Sequence, residues 1–232
     1  MPELEMAAEA RGDARVATTG SMSSYISFFG KLLGPPEAKY FEKSEAGTLE
    51  GNDLAHCEER YHQTKLGQVL FALALSEKLE EKGSKVKSVA FDPGWCDSRL
   101  QNNMLEEHEK SGDGSENQQV LSLCPCIALK DFFGKGGAAH SAADGSADML
   151  TVLFMPDVAS GDMYAPENPT MAQKNGQGTP VKILAAGKGL PANHPHLVGL
   201  VENSENKDLI WTKTCEMLGA NGCNAEFFDL MI

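Results

Sequence analysis

The chain has 232 residues and a mass of 24.9 kDa, enough for one large domain with its own core, and its 41% hydrophobic content excludes a wholly disordered chain. The chain contains 33 Asp and Glu residues and 20 Lys and Arg residues, so its formal net charge is −13. A chain of this charge repels phosphate backbones and anionic membrane surfaces, and we expect no nucleic-acid partner.

The first half of the chain is predicted to contain two helices and two strands. The longer helix carries apolar residues three and four positions apart, and the strands are compact runs of residues that favour β-structure. In chain order these elements are an acidic helix over 3–10, a strand over 15–19, the long helix over 53–82 and a strand over 86–91. Gly83 is expected to end the long helix, and the turn Asp92-Pro93-Gly94 to end the second strand.

Three loops are predicted around the remaining elements. They are a loop insertion over 25–52, a mobile loop over 101–120 and a Gly/Pro-rich loop over 168–200. The other predicted elements are a helix over 138–155, a final short strand over 161–164 and a closing helix over 207–218. Gly145 weakens the prediction of the helix over 138–155, because glycine is unfavourable inside a helix. This order predicts a single α/β domain over 1–232, a Rossmann-like layered sheet of parallel strands joined by crossover helices.

The sequence indicates a soluble, intracellular protein without a membrane span. Its longest apolar runs, such as 69–75 and 149–155, have seven residues each, whereas a spanning helix needs about 18. The first residues are acidic where a secretory signal would be basic. Six cysteines are too sparse for a disulfide scaffold, so we expect mostly reduced thiols.

No metal site is predicted. Cys124 and Cys126 lack a further Cys or His at ligand spacing, so idle thiols are the better explanation. His194 and His196 lie in the Gly/Pro-rich loop, where exposed histidines are expected. Trp211 in the closing helix is expected to belong to the core.

Tyr61 and Lys65 form the most informative pair in the sequence. Four residues turn an α-helix through about 400°, so both side chains point to nearly the same side. A lysine cation there would stabilise tyrosinate and lower the phenol pKa, which is ordinarily about 10. Such a tyrosine can exchange a proton with a substrate oxygen. Taken alone, the pair also fits two residues on a solvated helix face, and His62, turned by about 100°, is expected at the surface.

Polar residues also follow both predicted strands. Ser21 comes directly after the first strand and the segment Asp92 to Ser98 after the second, where open α/β sheets place their ligand crevice. Together with Tyr61 and Lys65, this order resembles the catalytic half of the short-chain dehydrogenase/reductase family. The stretch Arg60 to Leu100 is similar to the retinol-dehydrogenase-like and protochlorophyllide-reductase-like members.

The resemblance implies catalytic roles for three residues. Tyr61 would be the general acid/base, Lys65 would bind the nicotinamide ribose and depress the tyrosine pKa, and Ser21 would hydrogen-bond the substrate oxygen. Ser23 and Ser24 are alternative hydroxyls for the last role.

The resemblance also implies a cofactor, NADP or NAD, which would supply the hydride. Besides Tyr61 and Lys65, its binding residues would be Pro93, Gly94, Trp95 and Ser98. Trp95 is equally well explained by ordinary packing.

The nucleotide-binding half of the family has no counterpart in this sequence. Only 14 residues precede Arg15, and no G-x-G-x-x-G pattern occurs. The sequence would then be a fragment, one of two chains needed for a complete enzyme, or a retired enzyme kept as a packing subunit. In each case the first strand would leave an unpaired sheet edge, which favours a homo-oligomer or docking to another chain.

On this basis we expect an NAD(P)-dependent short-chain oxidoreductase that interconverts a carbonyl and an alcohol on a small apolar substrate. The alternative is a non-catalytic short-chain-dehydrogenase-like subunit of a larger protein assembly. NADPH binding, and turnover that is lost in Tyr61→Phe, would distinguish the enzyme from the subunit.

Overall fold

The computed structural model of the protein describes residues 2–25, 32–41, 54–94, 96, 141–167, 180–189 and 195–220. The α-helices in these ranges are α1 (Pro2–Arg11), α2 (Leu54–Glu81), α3 (Ala142–Gly145), α4 (Ala147–Phe154), α5 (Pro195–Glu202) and α6 (Ser204–Ala220). Short 3-10 helices cover Met22–Ser24 and Ala38–Phe41. The strands are β1 (Ala14–Thr19), β2 (Val86–Phe91), β3 (Met163–Pro166), β4 (Pro180–Ala185) and β5 (Lys188–Gly189).

The strands form one sheet in the order β1-β2-β3-β4-β5. β1 and β2 run parallel, with Ala14 opposite Val86 and Thr19 opposite Phe91, and β3 continues the parallel direction beside β2. β4 and β5 are antiparallel to their neighbours. The predicted α/β class with a Rossmann-like layered sheet is therefore confirmed, although the last two strands turn it into a mixed sheet.

Helices cover both faces of the sheet. The apolar side of α2 packs on one face through Leu66, Val69, Leu70 and Leu73. On the opposite face, Val152 of α4 belongs to a core cluster with Val89 and Phe91 of β2. α6 lies against α2, where Trp211 stacks on Phe71 with 6.0 Å between ring centroids. β3 is buried along its whole length as a result.

The predicted long helix and its stop signal are confirmed. α2 ends at Glu81, and Gly83 follows with a left-handed φ of +68°. The Gly83 amide donates to the carbonyl of Glu80 at 2.9 Å, and the Ser84 amide donates to that of Leu79 at 2.9 Å. This Schellman arrangement satisfies carbonyls that the last helical turn leaves free.

The predicted helix over 138–155 is wrong in detail. Its described part consists of α3 and α4, with Ser146 between them at φ −81° and ψ −12°. The Ser146 amide donates to the carbonyl of Ala143 at 3.2 Å. This bond reaches back three residues, as in a 3-10 helix, instead of the four of an α-helix. The predicted helix is therefore divided into two at Ser146.

The predicted Gly/Pro-rich loop over 168–200 is also wrong, because it contains β4, β5 and most of α5. A run of β-favouring residues, Val181 to Leu184, forms β4 between proline and glycine punctuation. Ala186 and Gly187, with φ values of 49° and 72°, make the tight connection to β5. Such a two-residue connection joins antiparallel strands. The strand over 163–166 is consequently not the final one.

Two predicted loops cannot be compared in full. The mobile loop over 101–120 lies outside the described residues, and so does the larger part of the insertion over 25–52. The described part of that insertion includes the 3-10 helix Ala38–Phe41. Among the helices of the described ranges, none combines the length and the apolar character needed to cross a bilayer.

Candidate functional site

The candidate site lies at the carboxyl ends of β1 and β2. Gly20 directly follows β1, and its amide donates to the carbonyl of Phe91 at 2.7 Å, so the two strand ends stay together. A Cβ at Gly20 would lie 2.9 Å from Cγ2 of Val69 and 3.0 Å from Cε of Met163. The absence of a side chain therefore lets α2 approach this edge of the sheet.

Ser21 begins the short helix Met22–Ser24 as its N-cap. Its backbone is extended, with φ −170° and ψ 154°, and its hydroxyl accepts a hydrogen bond from the Ser23 amide at 3.2 Å. The same side chain also lies close enough to the phenol of Tyr61 to lower its pKa. The alternative hydroxyls of Ser23 and Ser24 are buried, at 7% and 0% exposure, whereas Ser21 is half-buried.

Lys65 lies one helical turn after Tyr61 on α2. Its ammonium is 5.8 Å from the centroid of the Tyr61 ring and 3.4 Å from the carbonyl oxygen of Thr19, at the end of β1. Both side chains are half-buried. The structure thus brings Ser21, Tyr61 and Lys65 together at one edge of the sheet.

The electrostatics of Tyr61 differ from the expectation. Burial raises the pKa of its phenol above the usual value, and the negative charge of Asp92 raises it further, whereas the hydrogen bond with Ser21 lowers it. The expectation that Lys65 depresses this pKa is therefore wrong for the chain by itself. The pKa of Lys65 is itself lowered by burial, against the opposing effect of Asp92. Tyr61 therefore holds its proton at neutral pH, as a phenol with the usual pKa of about 10 also does.

Asp92 is a central member of the site that the sequence reasoning left without a role. Its side chain is 2% exposed and accepts hydrogen bonds from the amides of Met22, at 2.5 Å, and Gly94, at 2.8 Å. Burial raises the pKa of the carboxyl group, while these two amides and the cation of Lys65 lower it. An acidic residue directly after a buried strand was the signal that could have identified it.

Cys96 and Asp148 adjoin Asp92. The Cys96 thiol donates to the carbonyl of Pro93 at 3.0 Å, and burial together with the charges of Asp92 and Asp148 raises its pKa to about 11. Burial, followed by the charge of Asp92, raises the pKa of Asp148 to about 7. Cys96 therefore remains a protonated thiol with little nucleophilic character.

His62 was expected at the surface, and this prediction is wrong. Its side chain is 2% exposed, and its Nδ1 lies 2.7 Å from the carbonyl oxygen of Ser23. The rotation of about 100° from Tyr61 turns His62 toward the short helix Met22–Ser24, which packs on α2. His62 therefore helps to hold the segment that carries Ser21.

The remaining predicted site residues are divided between described and undescribed parts of the chain. Pro93 and Gly94 are half-buried, and Gly94 has a left-handed φ of +69°. Trp95 and Ser98 lie outside the described residues, as do Cys124, Cys126 and His194. His196 is half-buried in α5 with its Nε2 2.5 Å from the carbonyl oxygen of Leu33, so it is not an exposed loop residue. Within the described ranges, no three His, Cys, Asp or Glu side chains group as metal ligands would.

No protein-family model matches the chain, and no curated protein matches it. Among solved structures, the chain is similar to that of an uncharacterised protein from Mycobacterium paratuberculosis, with 14% sequence identity and a TM-score of 0.44. The similarity covers 87% of this chain and 48% of the other, so the chain spans about half the length of that structure. A similarity this low assigns neither a function nor a site.

Proposed function

We propose that this chain is an NAD(P)-dependent oxidoreductase of the short-chain type, which interconverts a carbonyl and an alcohol on a small apolar molecule. The observation that carries the proposal is the grouping of Ser21, Tyr61 and Lys65 at one edge of the sheet, with the Lys65 ammonium 5.8 Å from the centroid of the Tyr61 ring. These groups lie at the carboxyl ends of parallel strands, where α/β sheets form their ligand crevices.

The protonated phenol of Tyr61 supports carbonyl reduction. A phenol with the usual pKa of about 10 is already protonated at neutral pH, and burial and Asp92 raise the pKa of Tyr61 further, so Tyr61 is a proton donor rather than a base. A substrate carbonyl between Tyr61 and Ser21 would accept a hydrogen bond from each hydroxyl. The phenol would then give its proton to the oxygen as the alcohol forms.

The residues at this edge fit the nicotinamide and ribose end of the cofactor. NAD(P)H, when bound, supplies the hydride. The half-buried ammonium of Lys65 makes its one hydrogen bond among the described residues to Thr19, at a long 3.4 Å, and is therefore well suited to take ribose hydroxyls. Pro93 and Gly94 would offer backbone groups to the nicotinamide. The phosphates would need residues other than those described.

A Tyr61→Phe variant tests the proposal. We expect NADPH binding to be retained and the reduction of small ketones and aldehydes to fall by about 10²–10⁴-fold, the usual contribution of a general acid. Tyr40→Phe is a matched control, because Tyr40 also has a lysine ammonium over its ring, that of Lys39 at 4.9 Å, but lies in another segment. Turnover that survives in Tyr61→Phe, or no NADPH binding at about 1 mM, would contradict the enzyme assignment.

A second candidate function, a non-catalytic subunit of a larger assembly, is favoured by the sheet edge. In the described part of the sheet, β1 pairs with β2 alone, so its other side has no strand beside it. A parallel strand with one free edge is a docking surface for another chain or a second copy. Light scattering tests this candidate, since a stable monomer of the isolated chain would count against an obligatory partner.

A further inference from the structure

Asp92 connects two segments that meet at the candidate site. Its Oδ2 accepts the amide of Met22 at 2.5 Å, and its Oδ1 accepts the amide of Gly94 at 2.8 Å. Met22 belongs to the short helix that follows β1, and Gly94 to the turn that follows β2. One buried carboxylate therefore fixes the distance between the ends of two neighbouring strands.

The bond to Met22 acts on Ser21 because the two residues are adjacent. Ser21 is extended and Met22 opens the 3-10 helix, so the direction of the chain changes between them. The amide that Asp92 holds is part of the peptide bond joining Ser21 to Met22. A shift of this peptide group would displace the Ser21 hydroxyl from the Tyr61 phenol.

We propose that Asp92 is the positioning residue of this site: by holding the Met22 and Gly94 amides, its carboxylate sets the Ser21 hydroxyl against the Tyr61 phenol and aligns the Pro93–Gly94 turn. The consequence for catalysis rests on the proposed function, whereas the positioning of Tyr61 and Ser21 does not. Asp92 acts through these neighbours and does not itself touch substrate.

The charged and titratable groups around Asp92 add an electrostatic effect in the same direction. Asp92 interacts electrostatically with Lys65, Tyr61, Tyr25, Cys96 and Asp148. Lys65 is the cation of this set; burial lowers its pKa, and the charge of Asp92 opposes that lowering. When it is ionised, the Asp92 carboxyl group therefore favours both a protonated phenol and a charged ammonium at the site.

Asp162 provides a matched control. It is also buried, at 1% exposure, and also accepts two backbone amides, those of Ala159 at 2.8 Å and Ala186 at 2.9 Å. It directly precedes β3, and Asp162 is not among the groups that shift the pKa of Tyr61. Asp92→Asn and Asp162→Asn therefore each replace a buried carboxyl group that accepts two backbone amides, although Asp162 also pairs with Lys182 at 2.7 Å, and only Asp92 faces the site.

The experiment follows the Tyr61 ring by NMR in full-length protein labelled with [¹³Cζ]tyrosine, with Tyr61→Phe used to assign the signal. We expect Asp92→Asn to shift the Tyr61 signal and to lower the pH at which the phenol titrates, whereas Asp162→Asn leaves both as they were. If the protein reduces carbonyls, kcat in Asp92→Asn should fall by up to about 10²-fold, as misplacement of a catalytic group does.

A second pair of variants tests the same bond from the donor side, should Asp92→Asn not fold. Met22→Pro removes the amide hydrogen at the first helical position, which proline suits, while Met22→Ala keeps it. The Tyr61 signal should move in Met22→Pro well beyond its position in Met22→Ala. An unchanged Tyr61 signal and titration in Asp92→Asn, or equal signals in both Met22 variants, would overturn the proposal. If the parent protein does not reduce carbonyls but the Tyr61 signal shifts in Asp92→Asn, only the proposed function would be contradicted.

Discussion

The sulfur of Cys96 fills the space that a side chain at Gly145 would occupy: a Cβ on Gly145 would lie 2.1 Å from Sγ of Cys96. It would also lie 3.3 Å from the carbonyl oxygen of Pro93. The lack of a side chain at the end of α3 thus lets the turn after β2 rest against that helix. The turn after β2, which belongs to the candidate site, is in this way packed against the end of α3.

This contact predicts that the effect of Gly145→Ala on the free energy of unfolding changes sign when Cys96 is replaced by alanine. Gly145→Ala alone should reduce the free energy of unfolding by about 1–3 kcal/mol, because an overpacked site must shift to make room. In a Cys96→Ala background the sulfur is gone, and the same change should be neutral or stabilising, since alanine is the better helix former. Urea unfolding of the two single variants and the double variant measures the coupling. Additive effects would contradict the contact.

The elements that the sequence predicted well are those with a local signal. The period of apolar residues in α2 and the stop at Gly83 lie within the elements themselves, so the helix could be placed to within a residue or two. β4 was missed because Val181 to Leu184 is short and lies among glycines and prolines. Its strand structure comes from pairing with β3, which is a contact between distant segments.

The candidate site divides in the same way. Helical spacing alone predicted that Tyr61 and Lys65 share a side of α2. His62 is buried because the short helix Met22–Ser24 packs on α2 and places the carbonyl of Ser23 beside it. Asp92 is buried after β2, where it accepts the amide of Met22 from the same short helix. No spacing within one segment encodes such contacts. For the same reason the direction of the Tyr61 pKa shift could not be obtained from the Tyr-Lys pair.

Gly161 is expected to tolerate substitution less well than Gly83. Its φ is +80°, and a Cβ there would lie 2.8 Å from the amide nitrogen of Gly187. Gly83, at φ +68°, is a matched control with nothing within 4 Å of such a Cβ. Gly83→Ala should cost about 1–2 kcal/mol of unfolding free energy through backbone strain. Gly161→Ala should cost about 1–3 kcal/mol more, because backbone atoms must move. Equal losses in chemical denaturation would argue against the crowding at Gly161.

Lys65 is expected to serve cofactor binding if the proposed function holds. Replacing its ammonium in Lys65→Met should weaken NADPH binding by about tenfold or more, because hydrogen bonds to charged groups contribute about 1.5–3 kcal/mol. Lys39→Met is the control, since Lys39 is exposed and pairs with Glu37 at 2.9 Å in another segment. Nucleotide fluorescence measures both dissociation constants. Equal affinities of the two variants would exclude a direct role of Lys65.

Asp148 is expected to make the stability of the fold depend on pH. Its side chain is fully buried, and its pKa is raised from 3.8 to about 7 by burial and by Asp92. Between these two values the unfolded chain has lost the proton and the folded chain keeps it, so folding takes up a proton and the stability falls as pH rises. Asp148→Asn removes this contribution. The variant should therefore gain in unfolding free energy relative to the parent between about pH 4 and about pH 7, measured by urea titrations.

Asp13 provides the control with the opposite sign. Hydrogen bonds and ion pairs with Arg15 and Lys87, at 2.7 and 2.9 Å, lower its pKa to about 2. The stability that Asp13 contributes is present above its unfolded pKa and is lost as pH falls toward about 2. Asp13→Asn should therefore be less stable than the parent near neutral pH, by no more than about 1 kcal/mol for a partly exposed pair, and should approach it in acid. The difference in unfolding free energy between Asp148→Asn and the parent could instead stay constant from about pH 4 to about pH 7 while Asp13→Asn behaves as described. That result would contradict a raised pKa of the buried Asp148 carboxyl group.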